Sequence, residues 1–161
     1  MKPTVYLESS IISYLTSRPS RDVITLALQQ FTSDWWAARR HDFKLVASEL
    51  VVREVAAGNP EVARKRLELL KGIPLLDVSE AAVRLAEILI REAGLPKKAG
   101  ADALHIATAA CHGVEYLLTW NSKHIANAEI RPRVEKICRK TGYEPPVLCT
   151  PDELMGEDDH A

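Results

Sequence analysis

Val5-Tyr6-Leu7-Glu8 is a short apolar run rich in β-forming residues that ends in a carboxylate, and the fold prediction starts from it. Tyr116-Leu117-Leu118-Thr119-Trp120-Asn121 has the same form, an apolar run followed by polar groups. Helical patterns separate such runs along the chain, and strands that alternate with helices predict a parallel sheet covered on both faces. Ligands bind such sheets at the carboxyl ends of their strands. The sequence therefore predicts an α/β domain whose polar side chains gather at one sheet edge.

The other elements continue this alternation of strands and helices. The predicted strands cover residues 4–8, 43–47, 73–78, 116–119 and 147–149, and helices are predicted over residues 9–16, 20–40, 49–57, 60–71, 79–93, 101–112 and 127–141. Ser20, Ser48, Asn59 and Ser79 are the expected N-caps. We expect a three-layer α/β/α, Rossmann-like domain with a parallel sheet of about five strands over residues 1–150, followed by a mobile acidic tail at residues 151–161.

Length and composition indicate a single globular domain. The chain has 161 residues, of which 47% are hydrophobic and 27% charged, a balance that allows a core to be buried. Glu8 comes too early for an apolar signal segment, and no run of about 18 apolar residues occurs, so we expect a cytoplasmic protein without a membrane segment. The three cysteines lack CxxC spacing, which favours idle thiols over zinc or redox chemistry.

The net charge of -1 is unevenly distributed along the sequence. Acidic residues dominate the last stretch of the chain, so residues 1–150 carry a net positive charge. A basic cluster lies on the last predicted helix: Arg131, Arg133, Lys136, Arg139 and Lys140. Such a cluster can contact RNA phosphates, and the alternative is an ordinary solvated helix face.

Glu49 and Glu54 compete for one place in a candidate site. They lie five positions apart, roughly 140° around a helix of 3.6 residues per turn, so both cannot point into one cleft. Glu49 suits the first helical turn, where a negative charge is favourable without any function. Glu54 shares a face with apolar neighbours and therefore needs a partner. A metal site is one possibility, and an ion pair with Arg53 or Lys44 is the other.

Glu8, Asp102 and Asn121 are the other candidates for this site. Glu8 ends the first strand and Asp102 opens a helix, although either position also suits a helix-start carboxylate. Asn121 follows the fourth strand, which should neighbour the helix of Asp102. His105 and His124 are expected to be core or supporting histidines, because neither belongs to a metal-binding cluster. Oxygen donors favour Mg²⁺ or Mn²⁺ over zinc, and such an ion promotes phosphodiester hydrolysis.

The ordered set of these residues resembles the PIN domain family, and the whole chain is similar to its VapC-type ribonuclease toxins. The family pattern is matched by Glu8 with Ser10, Ser48 with Glu54, Asp102, and Thr119 with Asn121. The first position is usually Asp and the fourth often Asp, so the chain resembles a subgroup with Glu and Thr-Trp-Asn at these places. The resemblance implies a PIN-like fold and a Mg²⁺ or Mn²⁺ site lined by Glu8, Glu54, Asp102 and Asn121, with Ser10 and Thr119 in support.

The function implied by this resemblance is a metal-dependent endoribonuclease that acts as the toxin of a type II toxin-antitoxin pair. Its implied partners are RNA, an antitoxin protein and a second copy of the chain. The alternative is a catalytically weak or inactive PIN-like module that binds RNA or a protein. A phosphoaspartate domain or phosphatase is disfavoured, because there is no acid pair two residues apart after the first strand and no glycine-rich phosphate loop.

The long helix predicted over residues 20–40 carries an apolar stripe for the core or for a partner. Its members are Val23, Leu26, Ala27, Phe31, Trp35 and Trp36. We expect this helix to provide the surface for a dimer or an antitoxin.

Overall fold

The computed structural model describes residues 1–156 and contains one parallel sheet. Its five strands are β1 (Thr4–Leu7), β2 (Lys44–Ser48), β3 (Leu75–Leu76), β4 (Tyr116–Leu118) and β5 (Val147–Cys149). Their order across the sheet is β3-β2-β1-β4-β5, and every neighbouring pair is parallel. The predicted α/β class and five-stranded parallel sheet are confirmed.

Strand β1 forms the centre of the sheet and of the core. Val5, Tyr6 and Leu7 are fully buried, as a strand between two helical layers requires. Tyr6 lies opposite Val46 of β2 on one side and Leu117 of β4 on the other. The near-continuous apolar run at residues 5–7 is therefore explained by burial on both faces.

Seven helices in the described part of the chain connect these strands. They are α1 (Ser9–Thr16), α2 (Val23–Arg39), α3 (Glu49–Val55), α4 (Pro60–Leu70), α5 (Glu80–Glu92), α6 (Gly100–Cys111) and α7 (Ile130–Lys140), with short 3₁₀ helices at Arg40–Asp42, Lys97–Ala99 and Pro151–Leu154. Helices α1 to α4 contact one another, whereas α5 packs against α6 and α7. Ser48, Asn59 and Ser79 accept backbone N–H groups at the starts of α3, α4 and α5, so these predicted caps are confirmed.

Helix α2 begins later than predicted and buries a different face. The carboxylate of Asp22, not Ser20, caps it by accepting the N–H of Thr25 at 2.9 Å. Its buried side chains are Gln29, Thr32 and Trp35. The predicted apolar stripe was therefore wrong for three of its members, Val23, Leu26 and Phe31, which are exposed.

Hydrogen bonds explain why polar residues occupy the inner face of α2. The Gln29 side chain accepts the N–H of Ser20 and donates to the Ser17 hydroxyl and the Arg18 carbonyl. These bonds hold the turn between α1 and α2, so an amide at this buried position costs little.

Two further elements are shorter than predicted. The third strand was predicted over residues 73–78, but only Leu75 and Leu76 pair with β2. The last helix was predicted from residue 127 and begins at Ile130, because the Asn127 side chain accepts the N–H groups of Glu129 and Ile130 and forms a turn there.

The described structure continues past residue 150, where the predicted domain ended. Pro151–Leu154 form a 3₁₀ helix, and the carbonyl of Leu154 accepts the indole N–H of Trp35 at 3.3 Å. Residues 157–161 of the predicted mobile tail lie outside the described residues, so that part of the prediction stays a prediction. Within residues 1–156, no helix combines the length and the apolar character needed to cross a membrane.

All three cysteines are free thiols. Burial raises the pKa of Cys138 to about 11 and that of Cys149 to about 12, and burial also raises the pKa of Cys111. Thiols with raised pKa values are poor nucleophiles and poor metal ligands at neutral pH, in agreement with the predicted idle role.

We predict that Trp35→Ala lowers the free energy of unfolding by about 3–5 kcal/mol, because it removes a fully buried indole stacked on Phe43. Chemical denaturation measures this loss. Trp36→Ala is the matched control, and its loss should be smaller because that side chain is only half-buried. Equal losses in the two variants would contradict the packing described for α2.

Candidate functional site

The sheet changes its direction of winding at β1, since β2 lies on one side of it and β4 on the other. Glu8 follows β1 and Thr119 follows β4, so both stand at the carboxyl ends of the two central strands. This edge is the topological switch point of the sheet, where α/β proteins bind ligands.

Glu8 is buried and is held by donors from two elements. The hydroxyls of Ser10 and Thr119 each donate to Oε1 at 2.5 Å, and the backbone N–H of Ser10 donates to Oε2 at 3.0 Å. The same Ser10 N–H contact makes Glu8 the N-cap of α1. A carboxylate has about four acceptor sites, so these three bonds leave one free on Oε2.

The segment after β4 is tied to the same point. Thr119 accepts the backbone N–H of Asn121, and Ser10 accepts that of Trp120, both at 2.9 Å. Each of the two hydroxyls that hold Glu8 is thus itself held by the backbone of residues 120–121. The expected supporting positions of Ser10 and Thr119 correspond to direct contacts with Glu8.

Glu54 projects from α3 and accepts two short hydrogen bonds on one oxygen. Ser9 donates to its Oε1 at 2.5 Å, and His105 Nε2 lies 2.6 Å from the same atom. Partial burial acts to raise the pKa of Glu54, but the hydrogen bond and charge of His105 and the hydroxyl of Ser9 lower it overall. The side chain is therefore ionised at neutral pH, with Oε2 free of hydrogen bonds from the described residues.

The partners of Glu54 differ from the ion pair considered from the sequence. Neither Arg53 nor Lys44 pairs with it within the described residues; the buried His105 does. Glu49 lies in the first turn of α3 and is exposed. The structure thus places Glu54, and not Glu49, at the sheet edge.

Sequence reasoning missed Ser9, Tyr6 and the link through His105. The Tyr6 hydroxyl lies 2.7 Å from His105 Nδ1 and 2.7 Å from Ser48 Oγ, and all three side chains are fully buried. A tyrosine inside a central strand must find a partner for its hydroxyl, which was the one available signal. Burial raises the pKa of Tyr6 far above its usual range, with the charges of Glu8 and Glu54 adding to the effect, so the phenol keeps its proton.

Asp102 and Asn121 meet at His124. The His124 ring Nδ1 lies 3.0 Å from Asp102 Oδ2, and its backbone N–H donates to Asn121 Oδ1 at 3.0 Å. Asp102 is the third residue of α6 and does not cap it. A hydrogen-bonded chain therefore runs from Glu8 through Thr119, Asn121 and His124 to Asp102.

Possible metal ligands converge at one place in residues 1–156. Ligand atoms of Glu8, Glu54 and His105 all lie within 4.8 Å of one another. Asp102 does not belong to this cluster, so the structure brings two of the four predicted ligands together directly and joins the others through hydrogen bonds. The two carboxylates fit a hard divalent cation, since each keeps an oxygen with acceptor capacity and like charges this close favour a cation between them.

The basic face predicted on α7 is partly neutralised. Arg131 pairs with Glu153 at 2.9 Å, and Arg139 lies 3.4 Å from Glu144 and 4.0 Å from Glu135. The other three basic residues, Arg133, Lys136 and Lys140, are exposed and form no ion pair within the described part of the chain. The charge available to a ligand is therefore smaller than the sequence suggests.

Comparison with known proteins gives a structural likeness only. The sequence matches no protein-family model and no curated protein sequence. The crystal structure of VapBC2 from Rickettsia felis bound to a DNA fragment from their promoter matches with a TM-score of 0.50 and 17% identity, over 74% of this chain and 89% of that chain. VapBC-5 from Mycobacterium tuberculosis, a member of the VapBC family of toxin-antitoxin systems, matches with a TM-score of 0.44 and 15% identity, over 73% of this chain and 85% of that chain.

The likeness to VapBC2 concerns the fold. Together with the sheet order and the α/β/α layers, it confirms the predicted PIN-like fold. The VapBC-5 likeness is too distant to support an argument. The resemblance to VapC-type PIN domains noted in the sequence is thus supported at the level of the fold.

We predict that the contribution of Glu54 to stability is lost in acid. Because its folded pKa lies below the ordinary value of 4.5, the contribution is present above that value and disappears as the pH falls through the folded pKa. The free energies of unfolding of the wild type and Glu54→Gln, measured without metal from about pH 7 to about pH 3, should converge at low pH. A difference that grows in acid would contradict the assigned environment.

Proposed function

We propose that this chain is a metal-dependent endoribonuclease of the VapC-type PIN domain family and the cytoplasmic toxin of a type II toxin-antitoxin pair. The observation that carries the proposal is the pair of carboxylates, Glu8 and Glu54, at the switch point of a PIN-like sheet. Both acids match the family pattern, and both keep an oxygen that can accept a further ligand.

The ion of this site would be Mg²⁺ or Mn²⁺, because the donors are oxygens and no cysteine lies near them. Glu8 and Glu54 would hold it, and Asp102 and Asn121 would complete the site on the side held by His124. When bound, the ion would supply Lewis-acid polarisation of the phosphodiester and charge stabilisation of the leaving oxygen.

The chain's own residues would position the reactants and move one proton. Ser10 and Thr119 fix the Glu8 carboxylate, and His124 orients both Asp102 and the Asn121 carbonyl. Glu54 would accept the proton of the attacking water on Oε2, the oxygen that its internal hydrogen bonds leave free. The lowered pKa of Glu54 keeps it in the basic form at neutral pH.

The proposed partners are RNA, an antitoxin protein and a second copy of the chain. The exposed basic residues of α7 support contact with RNA phosphates. An apolar surface on the first half of α2 supports a protein partner: Val23 is 79% exposed and Ile24 72% exposed, with Leu26 and Phe31 beside them. Large apolar side chains grouped on one helix mark interaction sites more often than isolated ones do.

The second candidate function is an inactive PIN-like module that binds RNA or a protein. One observation favours it: an amide, Asn121, stands where a fourth carboxylate is common, and its oxygen is already engaged by His124. Measurable Mn²⁺ affinity at the Glu8–Glu54 pair separates the nuclease from the inactive module.

We predict that Glu54→Gln and Asp102→Ala each lower RNA cleavage about 100-fold or more, because each removes a carboxylate that the reaction requires. Neither variant opens a large core cavity, since both side chains are partly exposed. The measurement is cleavage of RNA by the purified proteins in Mn²⁺ buffer.

Glu49→Gln is the matched control for this prediction, since Glu49 lies on the same helix and is exposed. It should cleave RNA like the wild type. Unchanged cleavage in Glu54→Gln, or loss of cleavage in Glu49→Gln alone, would contradict the site assignment.

A further prediction concerns the basic face of α7. Replacing Lys136 and Lys140 by Gln should weaken RNA binding for all sequences and flatten its salt dependence by about 0.7 per lost phosphate contact with a single strand. Replacing Arg131 and Arg139 should have less effect, because both are already paired with acids. Identical salt slopes for the wild type and the lysine variant would show that the face is only solvated.

A further inference from the structure

His105 is fully buried, yet both of its ring nitrogens are hydrogen-bonded. Nε2 contacts Glu54 Oε1 at 2.6 Å, and Nδ1 contacts the Tyr6 hydroxyl at 2.7 Å, which in turn contacts Ser48 at 2.7 Å. This chain of buried polar groups crosses from α3 through α6 and β1 to the start of α3. It ends at one side chain that reaches the sheet edge, Glu54.

The directions of these hydrogen bonds follow from the chemistry of the groups. An ionised carboxylate only accepts, so His105 Nε2 donates to Glu54. In the neutral ring Nδ1 is then an acceptor, and the Tyr6 hydroxyl donates to it. Ser48 donates to the Tyr6 oxygen while its own oxygen accepts the Val51 N–H as the cap of α3. Every group in the chain is satisfied in this arrangement.

We propose that His105 is a positioning residue for the Glu54 carboxylate, with Tyr6 fixing the orientation of its ring. The inference rests on the proposed function, since it concerns the same metal site. Together with Ser9, His105 holds Oε1 from the side of the protein core and leaves Oε2 for the ion. A glutamate side chain is otherwise flexible, and fixing it beforehand removes an ordering cost from ion binding.

His105 does not serve as a ligand itself in this arrangement. Its Nε2 carries the proton donated to Glu54, and its Nδ1 is occupied by Tyr6. An ion at Nε2 would have to displace the Glu54 oxygen 2.6 Å away. Of the three residues in the ligand cluster, His105 therefore acts through Glu54.

The test is calorimetric titration of Mn²⁺ into the wild type and three variants, with melting temperatures measured in parallel. His105→Leu removes the donor to Glu54 and should weaken Mn²⁺ binding about 10- to 100-fold. His105→Gln restores an N–H donor of similar reach and should recover most of that affinity. Tyr6→Phe removes only the hydroxyl that fixes the ring, so it keeps the test decisive if His105→Leu does not fold, and a several-fold weaker affinity is expected.

Thr108→Val is the matched control on the same helix. Thr108 is fully buried, and its hydroxyl has no hydrogen-bond partner among the described residues, so this change should leave Mn²⁺ affinity intact. If all variants lose melting temperature while their Mn²⁺ affinity equals that of the wild type, His105 has only a structural role and the inference is overturned. Failure of His105→Gln to recover affinity lost in His105→Leu would also overturn it.

The same experiment separates this inference from the proposed function. A wild type that binds Mn²⁺ but does not cleave RNA refutes the nuclease, and the order of the affinities still decides the role of His105. A wild type that binds no Mn²⁺ refutes both. Nitrogen NMR of the metal-free wild type adds an independent signature: a proton on Nε2 of His105 supports the assigned hydrogen bond to Glu54, and a ring protonated only on Nδ1 overturns it.

Discussion

The hydrogen bond from Thr119 to Glu8 joins the ends of the two central strands, and the candidate site depends on it. Leu7 pairs with Leu118 in the parallel register of β1 and β4, which places Glu8 and Thr119 next to each other. Side chains alternate between the two faces of a strand, so a shift of one residue would turn Thr119 away from Glu8. The register also brings Asn121 and His124, and through them Asp102, into the network around Glu8.

The fold was largely predictable because its signals are local and repeated. Apolar runs that end in polar groups mark β1 and β4, and side-chain caps mark the starts of α3, α4 and α5. The errors arose where a side chain competes with the backbone. Asp22 in place of Ser20 caps α2, and Asn127 forms a turn instead of the first turn of α7. Either residue of such a pair satisfies the local rules, and only the folded geometry decides between them.

The candidate site was predictable in its residues but not in its connections. The choice of Glu54 over Glu49 followed from helix geometry, and the structure places Glu54 beside Glu8. The contacts of Glu54 with Ser9 and His105 cross 45 and 51 positions of sequence, which no local pattern encodes. The same holds for α2, whose apolar residues were expected in the core: Gln29 and Thr32 take the inner face because distant partners satisfy them.

The central claim is that Glu8 and Glu54 together hold a divalent cation at the switch point of the sheet. Anomalous diffraction from crystals soaked in Mn²⁺ tests it directly. The account predicts one strong peak at roughly 2.1 Å from a carboxylate oxygen of both Glu8 and Glu54. A peak bound elsewhere, or no peak at this pair in a crystal saturated with Mn²⁺, would contradict it.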